Sequence, residues 1–125
     1  MNVLVVEDNA SLRRLYVKSL AHHEHVVREA DRVAAAGTVL AEMTPDLMVV
    51  DMELPDGSGY DIIKQVRDDA RFRATYVVAI SGDNKYRSTS AQGLNADLFL
   101  LKPISIRILQ GLLATLPKES ALPNR

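Results

Sequence analysis

Four short runs of the chain, Val3 to Val6, Leu47 to Val50, Tyr76 to Ile80 and Leu98 to Leu101, are apolar at odd and even positions alike. A strand with one wet face alternates, because successive side chains point to opposite sides of the pleat. An unbroken apolar run therefore describes a strand covered on both faces, as in a parallel sheet packed between helices. A fifth run, His25 to Glu29, is more polar and suits an edge.

Between these runs the apolar spacing lengthens to about 3.6 residues, the period of a helix. Leu12, Leu15, Tyr16 and Leu20 mark one helical face, with Asn9 or Ser11 as its cap. Val33, Ala36, Gly37 and Leu40 mark a second, which Thr44-Pro45 stops because proline keeps the preceding residue out of the α region. Ile62, Ile63 and Val66 form a third face after a turn at Gly57 and Gly59, and Leu109, Leu112, Leu113 and Leu116 form the last. Lys85 to Leu94 offers only Tyr86, Ala91 and Leu94 for packing, so a short and weakly held fourth helix is expected there. Ile104, Ile106 and Ile108 widen the apolar arc of the last helix to roughly 200°, against the ~100° that one buried face needs. Either Ile104 and Ile106 pack beneath the start of that helix, or the arc is a partner surface.

Strands alternating with helices make a doubly wound α/β domain with a five-stranded parallel sheet and right-handed crossovers. With 125 residues there is room for one such domain. We place it at residues 1–117, with 118–125 as a polar tail or linker stub, and read Met1-Asn2 as a natural start.

The formal net charge of -1 gives no electrostatic reason to expect direct binding of nucleic acid or a membrane. Cysteine is absent, which removes disulfides and thiolate chemistry. No apolar run approaches the ~20 residues needed to cross a bilayer. The expected location is the cytoplasm.

In doubly wound sheets ligands bind at the carboxyl ends of the strands. The residues that close the apolar runs are Glu7 and Asp8, Asp51, Ser81, and Lys102 followed by Pro103. Two unit charges 4 Å apart at an effective dielectric near 20 interact by roughly 4 kcal/mol, so three ionised carboxylates in one place require cations. Lys102 supplies one charge, and an oxygen-only donor set favours a hard divalent ion such as Mg2+. A carboxylate beside a divalent cation, an amine and a hydroxyl has the parts that phosphoryl transfer needs, with Asp51 as nucleophile.

In order and at the usual spacing, "VVEDN", "VVDMELPDGSG", "AISG" and "DLFLLKPIS" resemble the receiver domain of bacterial two-component response regulators over the whole chain. The resemblance implies a flavodoxin-like sheet in the order 2-1-3-4-5. It implies phosphoryl transfer from a phosphohistidine on a sensor histidine kinase or a histidine phosphotransfer domain. By the same resemblance Asp51 is the phosphoacceptor, Asp8 binds Mg2+ (alternatively Mn2+) directly, Glu7 binds it through water, and the backbone carbonyl of Glu53 completes the protein's share. Ser81 hydrogen-bonds the phosphoryl group, Lys102 pairs with it, the peptide before Pro103 is cis, and Phe99 is the aromatic switch. Output to a downstream protein or a second copy uses the face of the fourth helix, fifth strand and fifth helix. Such a domain catalyses only its own phosphorylation and dephosphorylation.

Three positions depart from the family's commonest pattern. Ser81 stands where Thr is usual, which loosens the link to Phe99. Glu53 and Asp83 occupy the two variable positions that tune dephosphorylation, and their acidity should repel anionic donors such as acetyl phosphate. Two alternatives stay open: a receiver-like binding module that works without phosphate, and a Mg2+-dependent phosphohydrolase suggested by "DME". His22, His23 and His25 point apart on a helix and lack a further ligand at proper spacing, so they are assigned no function. "GSG" at Gly57 to Gly59 is too short for a dinucleotide fingerprint and no GxxxxGK[ST] loop exists, so these glycines are read as turn residues.

Overall fold

A computed structural model describes residues 1–22, 24–83 and 95–116. The expected helix at Lys85 to Leu94, His23, and the boundary and tail from Pro117 onward lie outside the described residues. The elements run β1 (Asn2–Val6), α1 (Ala10–Leu20), β2 (Val26–Ala30), α2 (Val33–Glu42), β3 (Leu47–Asp51), β4 (Glu53–Leu54), β5 (Gly57–Ser58), α3 (Gly59–Arg67), a 3-10 turn (Ala70–Phe72), β6 (Tyr76–Ser81), β7 (Leu98–Leu101) and α4 (Ile106–Thr115).

Five strands form one parallel sheet in the order β2-β1-β3-β6-β7, which is 2-1-3-4-5 when only its own strands are counted. The polar run is at the edge, as expected. Strand alternation divides the apolar residues between two cores. Leu4, Val6, Met48, Val50, Val77 and Ala79 face α2 and α3, meeting Ala36, Leu40, Ile62, Ile63 and Val66. Val3, Val5, Leu47, Val49, Val78 and Ile80 face the other way, onto Tyr16 and Leu20 of α1 and Leu109 of α4. Each buried aliphatic side chain contributes roughly 1.5–3 kcal/mol, which explains why both faces of these strands are apolar.

Several helix details differ from the sequence reading. Leu15 is 46% exposed, because α1 buries only Tyr16 and Leu20 fully. α2 stops at Glu42, before Thr44-Pro45 is reached. Ile104 and Ile106 do pack against the α1 side of the core, whereas Ile108 is exposed. His22 and His25 lie past the end of α1, with ring centroids 5.2 Å apart.

The caps fix where helices begin. Asn9 Oδ1 accepts from the Leu12 amide at 3.0 Å, opening α1 beside the end of β1. Ser58 and Asp61 form a reciprocal capping box on α3. Arg32 makes no side-chain cap on α2. Instead the β4–β5 hairpin, turning at Pro55-Asp56, sends Asp56 across to accept from the Val33 amide at 2.7 Å and the Ala34 amide at 3.0 Å. These two bonds hold the Asp56 carboxyl below the usual aspartate range. Asp56→Ala is expected to lower the melting temperature and to increase hydrogen exchange in the first turn of α2; unchanged exchange there would refute the capping role.

Candidate functional site

The strand order reverses between β1 and β3, opening a crevice at their carboxyl ends. Glu7 follows β1 and is fully buried; Asp51 is the last residue of β3 and 1% exposed. Asp8 sits beside them in solvent. Each of these three residues offers one oxygen, and the three oxygens lie within 4.8 Å of one another. Asp51 Oδ1 accepts from the Glu53 amide at 3.0 Å, and Oδ2 accepts from Lys102 Nζ at 3.1 Å. Glu7 Oε2 accepts from the Asn9 amide at 3.1 Å. Its Oε1 is 3.1 Å from Lys102 Nζ in ionic contact but takes no hydrogen bond from a described residue.

Lys102 reaches the pair because β7 ends beside β6: the Lys102 amide donates to the Ser81 carbonyl at 2.8 Å, and the Lys102–Pro103 peptide is cis. Ser81 closes β6 with its side chain fully buried. Its Oγ donates to Glu53 Oε2 at 2.8 Å and accepts from the Asp83 amide at 2.9 Å. Phe99 is half-buried against the α2/α3 side of the core, two residues before the end of β7.

Two further residues take part that the strand-end argument did not single out. Arg13, one turn into α1, donates from Nη1 to the Glu7 carbonyl at 2.9 Å and from Nε to Glu29 at 2.7 Å, tying the end of β1 to the edge strand. The Glu53 side chain is the other, through its bond to Ser81. An Arg on a polar helix face gives no sequence signal of this kind. The partner of Glu53 depends on the turn after β3.

Charge does not balance among these groups. Among the described residues three carboxylates face one ammonium, and Glu7 bears the cost. Burial, reinforced by the Asp51 carboxylate beside it, pushes its pKa up to about 7 against an ordinary 4.5. For Lys102, burial opposes the charge, but Asp51 and Glu7 outweigh it and hold its pKa above the usual lysine value. A fully buried carboxylate oxygen without a hydrogen bond, beside two more carboxylates, is a donor set for a hard divalent cation.

The raised Glu7 pKa sets the pH dependence of folding. Between its ordinary 4.5 and about 7 the folded state binds a proton that the unfolded state has released. Stability therefore falls as pH rises through that window, by about 3 kcal/mol if Glu7 acts alone, and the contribution is gone above it. Lys102 contributes below its raised pKa and adds no slope in this range. Urea unfolding at pH 5 and pH 7.5 in EDTA should show the loss, and Mg2+ or Glu7→Gln should flatten it. A pH-independent wild type in EDTA would overturn this account.

The family model of the response regulator receiver domain matches residues 3–114. The chain belongs to that family. Among curated relatives of this receiver, chemotaxis protein CheY1 of Helicobacter pylori is 26% identical over 88% of the chain and 91% of its own length. KdpE, the KDP operon transcriptional regulatory protein of Escherichia coli, is 33% identical over 87% of the chain. The receiver spans 48% of KdpE and 56% of the Salmonella typhimurium PhoP, which is 32% identical. A CheY-like receiver domain from Methylobacillus flagellatus superposes with a TM-score of 0.80, at 26% identity, covering 94% of this chain and 98% of that one. Receiver domains are generally signalling modules rather than metabolic enzymes. Among the described residues of this receiver no helix is long and apolar enough to cross a membrane.

Proposed function

We propose that this receiver takes a phosphoryl group onto Asp51 from the phosphohistidine of a sensor kinase or a histidine phosphotransfer domain, in a Mg2+-dependent reaction in the cytoplasm. The observation that supports this best is the meeting of a buried Asp51 with the Lys102 ammonium at 3.1 Å and with two further carboxylates. Asp8, Asp51 and the Glu53 carbonyl would hold Mg2+ (Mn2+ alternatively), with Glu7 acting through water. The ion supplies neutralisation of charge on the transferred group.

A carboxylate oxygen of Asp51 attacks phosphorus; the phosphorus–nitrogen bond breaks and its electron pair stays on the departing imidazole. The product is an acyl phosphate. Phosphorylation removes the charge that Lys102 faces at Asp51 and places about -1.5 to -2 on the phosphoryl oxygens, so the ammonium turns to the new anion. Ser81 donates its hydroxyl to another oxygen, and Phe99, on the same strand as the approach to Lys102, responds to the shift. The output surface is the segment Lys85 to Leu94 with β7 and α4, facing a downstream protein or a second copy.

The test is Mg2+-dependent phosphotransfer onto the purified domain from a panel of phosphorylated histidine kinases and phosphotransfer domains. An alkali-labile label mapped to Asp51 by mass spectrometry after borohydride reduction is the expected result. A folded domain that binds Mg2+ but takes no label from any donor would overturn the reading and favour the phosphate-independent module.

A further inference from the structure

We infer that the Glu53 carboxylate is an internal occupant of the phosphoryl site: it engages the Ser81 hydroxyl in the resting protein and must leave before Ser81 can serve a phosphoryl group. The inference rests on the phosphoacceptor reading of Asp51 and adds a device that selects among donors.

Ser81 has one hydroxyl proton to give. Among the described residues two acceptors compete for it: Glu53 Oε2 at 2.8 Å and the Asp83 carbonyl at 3.3 Å. The nearer acceptor also belongs to a carboxylate, and charge-assisted bonds are the stronger ones, so the proton points to Glu53. The Asp83 amide, donating to Oγ at 2.9 Å, orients the hydroxyl from the other side. Ser81 is therefore held at both donor and acceptor positions, its own side chain buried while the carboxylate that it serves lies at the solvent boundary.

Glu53 is well placed to occupy and to vacate. Its backbone is fixed, because its amide donates to Asp51 Oδ1 at 3.0 Å and the residue pairs with Ser58 in the β4–β5 hairpin. Its side chain is exposed, so it can swing into solvent without disturbing either core. One residue thus touches the acceptor Asp51 through its amide and the phosphoryl-binding Ser81 through its carboxylate. A donor docked with a protein's binding energy can meet the cost of displacing that carboxylate, whereas a small phosphodonor cannot. Glu53 acts here as a positioning residue on Ser81, which differs from simple repulsion of anions by its charge.

The experiment uses beryllofluoride, which joins an aspartate oxygen as a tetrahedral phosphoryl mimic, titrated with saturating Mg2+ and read by fluorine NMR. Wild type, Glu53→Ala, Glu53→Gln, Ser81→Ala and the Glu53→Ala/Ser81→Ala double variant are compared, each checked for folding by circular dichroism. Glu53→Ala should tighten binding about tenfold when Ser81 is present, as expected for loss of one charge-assisted hydrogen bond, and should change nothing when residue 81 is Ala. Glu53→Gln should recover part of the wild-type restraint, since its amide oxygen still accepts from Ser81. An equal gain in both backgrounds, a Gln variant identical to Ala, or no gain at all would overturn the occupant in favour of plain repulsion or no role. Absence of binding in all five folded proteins would instead overturn the phosphoacceptor reading, and the occupant with it.

Discussion

Asp51→Asn should abolish phosphoryl labelling and, in metal-free solution at neutral pH, leave the domain more stable than the wild type. An amide oxygen is a poor nucleophile, so the acyl phosphate cannot form. The stability gain follows from the same site. Asn keeps one oxygen, which still accepts from the Glu53 amide as Asp51 Oδ1 does; the bond from Lys102 Nζ to Oδ2 is lost, and Lys102 stays in ionic contact with Glu7 Oε1 at 3.1 Å. Its amide nitrogen can donate to Glu7 Oε1, the buried atom that no described residue serves with a hydrogen bond. It also removes the negative charge that reinforces the raised pKa of Glu7. Relieving the like-charge contact at a buried carboxylate and giving Glu7 Oε1 an aligned donor outweigh the one lost bond, for a net gain on the order of 1 kcal/mol. Thermal unfolding in EDTA at pH 7.5, run beside the labelling assay, measures both effects. A labelled Asp51→Asn protein, or one that melts below the wild type, would contradict the geometry drawn here.

Gly59→Ala should cost about 3 kcal/mol or more and distort the site. A Cβ on Gly59 would lie 2.4 Å from the Asp51 carbonyl oxygen, 2.9 Å from Val50 Cγ1 and 3.0 Å from Met52 Cα. Two of these three atoms are backbone, so no rotamer change relieves the clash. The Gly59 amide also donates to the Met52 carbonyl at 3.0 Å, which pins the start of α3 against the end of β3. Pushing α3 away therefore moves Asp51. Gly37→Ala is the control: nothing lies within 4 Å of its added Cβ, and in mid-α2 the change should stabilise by about 0.5–1 kcal/mol. Denaturant titration of both variants tests the pair, and a Gly59→Ala protein as stable as Gly37→Ala would refute the packing argument.

Gly59 also marks a limit of reading glycines as turn residues. No described glycine has positive φ. What position 59 requires is the absence of a side chain where a helix start crosses a strand end, and that demand comes from residues 50 to 52 in space rather than from the local dipeptide. Leu15 teaches the same lesson on a helix. It shares the apolar spacing of Tyr16 and Leu20, yet it is 46% exposed because the sheet and α4 cover only part of the stripe.

The sequence by itself determined the sheet and the residues at its carboxyl edge. Side chains alternate with a period of two, so a run apolar at every position must be covered on both sides, and the first polar residue after it must emerge at the strand's end. That is why the pattern alone places Glu7, Asp51, Ser81 and Lys102 at one edge, and why Lys102 is found 3.1 Å from both buried carboxylates. Tertiary structure alone decided what periodicity does not encode. It sent Asp56 to cap a helix 23 residues upstream, set Glu53 on the hydroxyl of Ser81 across 28 residues, and left one oxygen of Glu7 in ionic contact with Lys102 but without an aligned hydrogen bond from a described residue. These contacts depend on how the turn after β3 folds back on its neighbours, and nothing in the spacing of apolar residues specifies the path of a turn.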